Sequence, residues 1–87
     1  MSRKLDFSQK AQDDLNFWKK TGNRTIQKKI EEILTSMLDT PFHGLGKPEP
    51  LKHELSGSWS RRINREHRIV YLVKDEIIRI ESLKGHY

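Results

Sequence analysis

Leu5 and Phe7 alternate with polar neighbours and predict a short first strand. Ser8 stands where a helix needs an N-cap. Ala11, Leu15 and Trp18 then share one face of a helix that Gly22 stops. Asn23 caps a second helix, whose Ile26, Ile30, Ile33, Leu34, Met37 and Leu38 follow the i, i+4, i+7, i+8 spacing until Pro41 ends it. Residues 41–50, Pro-Phe-His-Gly-Leu-Gly-Lys-Pro-Glu-Pro, read as a loop holding all three prolines and two of the five glycines. Beyond it the period changes from helical to alternating, and Leu51–Leu55, Trp59–Ile63, Arg68–Lys74 and Ile77–Leu83 predict four strands. The breaks between them, at Ser56-Gly57, Asn64-Arg65-Glu66 and Asp75-Glu76, are too short for anything but antiparallel neighbours. The predicted class is therefore α+β, in the order β-α-α-β-β-β-β. The two helices cover one face of a mostly antiparallel sheet. The other face is left to water, a partner or a substrate, and it takes much of the arginine.

Length and charge narrow this picture. Eighty-seven residues support one domain, 1–87, because two separate cores could hardly be built from so short a chain. Hydrophobic and charged residues each make up 33% of the chain, so the core is thin and a partner that buries more surface would stabilise it. The formal charge is +5, and the excess is spread along the chain. Residues 1–40 carry eight Lys/Arg against six Asp/Glu, and residues 41–87 carry nine against six. A basic domain of this kind suits an acidic partner, nucleic acid being the commonest, although charge alone is equally consistent with a plain soluble surface. The absence of cysteine excludes a disulfide framework, a Cys-based zinc site and a thiol nucleophile. No apolar stretch follows the start, and the longest apolar run, Ile69–Val73, is too short to cross a bilayer. A cytoplasmic location without membrane association is the expectation.

Few residues carry candidate chemistry. Glu49 is framed by Pro48 and Pro50, which fix their own φ and push the preceding residues toward extended backbone. Its carboxylate is thus held out on a stiff loop. On spacing alone a solvated charge is the simpler reading. His86 and Tyr87 follow Gly85 at the end of the chain. A frayed end is the default reading. If the last strand is docked, both side chains lie beside the sheet, where the α-carboxylate of Tyr87 would favour the imidazolium that a general acid needs. Arg61, Arg62, Arg65 and Arg68 form a dense group whose planar donors suit phosphate oxygens, or else a charged edge that discourages sheet aggregation. Alternation sends Arg61 and Arg62 to opposite faces, so the four cannot all serve one site. Lys47 and Lys52 bracket Glu49 in the same positive field. Trp59 reads as a core residue before a base-stacking platform. His43, His53 and His67 form no recognisable metal set, so no metal and no cofactor is expected. No Walker-type glycine loop is present, and Ser56-Gly57-Ser58 reads as a turn.

Together these segments resemble the YoeB/Txe toxins of bacterial type II toxin–antitoxin systems, a branch of the RelE-like fold. The resemblance is carried by Thr40-Pro-Phe-His-Gly-Leu-Gly-Lys-Pro-Glu-Pro-Leu-Lys-His53, by Leu55-Ser-Gly, Trp59-Ser-Arg-Arg-Ile63 and Glu66-His-Arg-Ile-Val-Tyr71, and by the closing His86-Tyr87. Asp13-Asp14 with Trp18 in the first helix also fits. Ser58 and Leu83-Lys84-Gly85 depart from the usual pattern, which bears on base preference and tail stiffness. The resemblance implies a RelE-like domain, a homodimer and an mRNA interferase that needs no metal. It also implies cleavage of mRNA in the decoding site of the 70S ribosome, with products ending in a 2′,3′-cyclic phosphate and a 5′-hydroxyl. It implies a cognate YefM/Axe-type antitoxin with an acidic, flexible segment. By the same resemblance Glu49, Arg68, His86 and Tyr87 are the catalytic residues, and Lys52 and Arg62 hold the RNA backbone. Lys47 and Arg61 join them as candidate RNA contacts on charge. The competing expectation is a non-catalytic basic module that binds ribosomes or nucleic acid. It explains the charge but not a Pro-framed glutamate among lysines, because an acid in a phosphate track weakens binding.

Overall fold

The computed structural model describes residues 3–85. Strand β1 (Lys4–Phe7) leads into helices α1 (Gln9–Thr21) and α2 (Arg24–Asp39), followed by β2 (Glu49–Pro50), β3 (Trp59–Arg62), β4 (Arg68–Lys74) and β5 (Ile77–Ser82). The sheet order is β1-β5-β4-β3-β2. The strands from β2 to β5 form the expected antiparallel meander, and β1 adds to it parallel to β5. The crossover from β1 to the rest of the sheet runs through both helices and lays them on one face.

The helix boundaries follow local chemistry. Ser8 Oγ accepts from the Ala11 N–H at 3.0 Å, and Asn23 Oδ1 accepts from the Ile26 N–H at 3.1 Å, each satisfying an otherwise unpaired first-turn donor. Gly22 ends α1 in the left-handed region at φ 69°, where a Cβ is costly. Ile26, Ile30, Ile33 and Met37 of α2 are buried in one cluster with Ile69, Tyr71, Ile78 and Ile80 of the sheet and Leu83 just after it. A fully buried isoleucine of this kind contributes about 1.5–3 kcal/mol.

Two features depart from the sequence expectation. Leu51–Leu55 is not a strand. The pairing is confined to Glu49–Pro50 on the sheet edge, after which His53, at φ 61°, turns the chain into a single 3₁₀ turn, His53–Leu55. Pro50 lacks an N–H and breaks the ladder where an edge strand tolerates it. The second departure is an irregularity between β4 and β5. Tyr71 pairs with Ile80 but Val70 pairs with Ser82, so Glu81 is an extra residue. Strict alternation from Ile78 and Ile80 would turn Leu83 outward. The bulge shifts the phase by one, and Leu83 is fully buried.

Candidate active site on the open sheet face

β3 decides which arginine faces which way. Arg61 pairs with Ile69 and points to the helix side, and Arg62 pairs with Arg68 on the open side. Two arginines directly opposite each other repel, which is a poor arrangement for folding alone and a good one for an anion.

Glu49 stands opposite Ser60 in the β2–β3 pair, and Ser60 stands opposite Val70. Arg68 reaches across the open face from β4. Its Nη1 donates to Glu49 Oε1 at 2.5 Å and to Ser60 Oγ at 3.3 Å. Half of the Glu49 side chain is exposed (52%), whereas that of Arg68 is mostly covered (18%). The guanidinium is thus fixed from below while the carboxylate meets solvent. The hydrogen bond and charge of Arg68 hold the Glu49 carboxyl below its ordinary value of 4.5, and Arg62 and Lys52 add smaller contributions in the same direction. Lys47 is exposed two residues before Glu49, and its φ of 52° is a left-handed conformation that non-glycine residues adopt only where the surroundings impose it.

Arg61 is corrected from a candidate RNA contact to a residue of the interior. It is fully buried, and all five guanidinium donors are engaged. Nε donates to Tyr71 Oη at 3.1 Å, Nη1 to Ser36 Oγ at 3.0 Å and Leu45 O at 3.2 Å, and Nη2 to Thr40 O and to His43 O at 3.0 Å. The last turn of α2 has no basic residue of its own, and Thr40 is its C-cap. Arg61 therefore brings a cation from β3 to the negative end of that helix and adds a charged donor to the Thr40 and His43 carbonyls there. Tyr71 Oη completes the network by donating to Pro41 O at 2.7 Å, and burial raises its pKa. The residue expected to touch RNA instead pins the loop that delivers Glu49.

Gly46 closes the same loop onto β3. Its carbonyl accepts from the Arg62 N–H at 2.7 Å, and its φ is 84°. A Cβ there would lie 3.0 Å from the Arg62 carbonyl oxygen and 3.0 Å from Arg61 Cβ. Gly46→Ala is therefore expected to destabilise the fold by about 1–3 kcal/mol through left-handed strain and backbone crowding. Urea denaturation would show it as a lower midpoint with an unchanged slope.

The segment before the chain end is docked by residues that the sequence reading left as core or set aside. Asp14 is buried, held by Lys10 Nζ at 2.9 Å, and its Oδ2 accepts from the Leu83 N–H at 2.9 Å. The Trp18 indole donates to Leu83 O at 3.0 Å. His67 Nδ1 accepts from the Gly85 N–H at 3.0 Å, and the Arg68 N–H donates to Gly85 O at 2.8 Å. Ala11, Asp14 and Trp18 share one helical stripe, so an acid on an apolar face was the available signal for Asp14. His86 and Tyr87, expected in the catalytic set, lie outside the described residues. Trp59 packs at the edge of the core with its ring centroid 4.9 Å from that of Phe42, in keeping with the core reading. Among the described residues no group of three or more His, Asp or Glu side chains is placed to hold a metal ion, and no helix is long and apolar enough to cross a membrane.

Two helices on one face of this mixed five-stranded sheet, with the opposite face left open, define the RelE-like toxin fold. YafQ from E. coli shares it at a TM-score of 0.79 with only 17% identity. The chain belongs to the family described as the YoeB-like toxin of bacterial type II toxin–antitoxin system, whose sequence model matches residues 7–87. It is 51% identical over 84 residues to Toxin YoeB of Escherichia coli O6:H1, covering 97% of this chain and 99% of that protein. Two solved structures from Staphylococcus aureus are similar. The YoeB dimer has a TM-score of 0.88 at 43% identity and covers 98% of both chains. The YoeB–YefM complex has a TM-score of 0.86 at 45% identity and covers 95% of both chains.

Proposed function

We propose that the chain is a ribosome-dependent endoribonuclease that cuts mRNA in the A site, using the 2′-hydroxyl of the RNA as nucleophile and no metal. The observation that carries this reading is the Glu49–Arg68 pair on the open face, a solvent-facing carboxylate seated on a guanidinium with Arg62 opposite. A pure binding surface gains nothing from an acid at its centre.

In the proposed reaction Glu49 removes the 2′-OH proton, the 2′-oxygen attacks phosphorus, and the P–O5′ bond breaks. Arg68 meets the charge that develops on the phosphorane, assisted by Arg62, Lys52 and Lys47. His86 gives its proton to the departing 5′-oxygen and Tyr87 orients the nucleotide. The products are a 2′,3′-cyclic phosphate and a 5′-hydroxyl. Arg68 is also the main cause of the low Glu49 pKa. When a substrate phosphate takes the guanidinium, Glu49 loses that partner and becomes a stronger base at the moment it is needed. Proton transfer supplies only about 10²–10⁴-fold, so alignment of the 2′-oxygen with the leaving oxygen supplies much of the remainder. A ribosome that holds the mRNA rigidly provides that alignment, and translating ribosomes place the activity in the cytoplasm. The basic open face suits an acidic, flexible YefM-type antitoxin segment, and pairing into a homodimer is proposed with it. The S. aureus relatives, solved as a YoeB–YefM complex and as a YoeB dimer, support both.

Incubation with programmed 70S ribosomes, followed by mapping of both RNA ends, tests the proposal. Cyclic-phosphate and 5′-hydroxyl termini are expected. Ribosome binding with no scission would favour the non-catalytic module. The pH profile gives a further check. A lowered carboxyl pKa keeps Glu49 ionised above it and costs activity only as the pH falls through it. The Glu49 limb of kcat/KM, which reports the free protein, should therefore lie below the ordinary value of 4.5. A Glu49-dependent limb near about pH 6 would contradict the pairing.

A further inference from the structure

The peptide unit of Gly85 is tied on both sides, its N–H to His67 Nδ1 at 3.0 Å and its carbonyl to the Arg68 N–H at 2.8 Å. His67 and Arg68 are neighbours in sequence, so one short stretch of β4 and its approach grips the tail twice. The His67 ring stands edge-on to Trp18, with centroids 4.9 Å apart and planes at 78°. Trp18 itself donates to Leu83 O, and buried Asp14 accepts from the Leu83 N–H. A cleft of about 730 Å³, bordered by Phe17, Trp18, His67 and Lys84, runs along the docked segment. Among these contacts the His67 bond is the one nearest in sequence to His86 that a side chain makes. An aspartate at this position would accept the same bond but would set a negative charge beside Arg68. A neutral imidazole accepts it and keeps the ring against Trp18.

We propose that His67 is a positioning residue: its Nδ1 holds the Gly85 amide so that the chain enters His86 from a fixed point beside the Arg68 backbone. The inference rests on the nuclease reading of this site and adds to it the device that aims the tail. Without the acceptor the Gly85 N–H is left unpaired, and beyond the bonds at Leu83 the Gly85 peptide is held only through its carbonyl at the Arg68 N–H. A displacement of about 1 Å in a reacting group costs up to roughly 10²-fold in rate.

The test pairs two variants with one measurement on the unaltered protein. His67→Phe keeps the ring on Trp18 and removes the acceptor, whereas His67→Asn keeps an acceptor near the Nδ1 position and removes the ring. In ¹⁵N-labelled wild type, a scalar coupling across the hydrogen bond is expected between the Gly85 amide nitrogen and His67 Nδ1. His67→Phe should raise the Gly85 amide exchange rate about tenfold or more. It should also lower single-turnover cleavage on programmed ribosomes by about 10–100-fold. The half-saturating ribosome concentration should stay unchanged, and His67→Asn should recover part of both losses. Absence of the coupling, a His67→Phe rate equal to wild type, or His67→Asn as slow as His67→Phe each overturns the proposal. The coupling needs no variant to fold. A wild-type protein that couples at Gly85 but cuts no RNA would instead overturn the nuclease reading, so the two failures are told apart.

Discussion

Glu49→Gln is expected to lower single-turnover mRNA cleavage on programmed ribosomes by about 10²–10⁴-fold, the range that a general base supplies. Ribosome binding should hold or tighten. The carboxylate occupies Arg68 Nη1 in the free protein, and the neutral amide both weakens that hold and removes a negative charge from the path of the phosphates. Loss of rate without loss of affinity separates a catalytic carboxylate from a structural one, because the exposed Glu49 side chain buries little whose removal could unfold the chain. The folding contribution of the ion pair has a definite sign. The lowered carboxyl pKa means that it is present above the unfolded carboxylate value and is lost as the pH falls through the depressed one. A Glu49→Gln protein that cleaves at the wild-type rate would remove the base from the scheme.

Arg61→Met should have the largest effect on stability, on the order of 3–5 kcal/mol, although it removes no residue that faces the substrate. The methionine fills most of the apolar volume. However, it leaves Thr40 O, His43 O, Leu45 O, Ser36 Oγ and Tyr71 Oη without the donor they share. Arg61→Lys should recover little, because an ammonium has three donors at one point where this site needs five in a plane. Cleavage should fall even under conditions where the variant is folded, since the loop that ends in Glu49 is no longer held to α2 and β3. Denaturant titration and single-turnover kinetics measure the two effects separately. An Arg61→Met protein within about 0.5 kcal/mol of wild type would show the network to be incidental.

Much of this architecture was legible because it depends on local rules. Ser8, Gly22 and Asn23 cap and stop helices where the apolar stripe begins and ends, and the short breaks at 64–66 and 75–76 leave only antiparallel pairing. Most of the failures depend on a neighbour distant in sequence. Leu51, His53 and Leu55 alternate as a strand does, yet Pro50 breaks the ladder and His53 takes a left-handed turn that alternation cannot show. The bulge at Glu81 follows from where Leu83 must be buried, and alternation alone cannot show it. Opposite faces for Arg61 and Arg62 were predicted. Which of the two turned inward depended on five acceptors gathered from α2, the loop and β4. In the candidate site, Glu49, Arg62 and Arg68 were singled out through charge and resemblance, and the fold brings the three together on the open face. Asp14 and His67 were missed as anchors of the tail, because their partners are backbone groups that leave no mark in side-chain chemistry.

The most direct measurement is the structure of the protein bound to a programmed 70S ribosome whose mRNA carries a 2′-O-methyl group at the cut position, which blocks the nucleophile and traps the complex. The account predicts that Arg68 leaves Glu49 for an oxygen of the scissile phosphate, with the Glu49 carboxylate within hydrogen-bond reach of the modified 2′-oxygen. A complex in which Glu49 keeps its bond to Arg68 and the mRNA passes along some other face would contradict it.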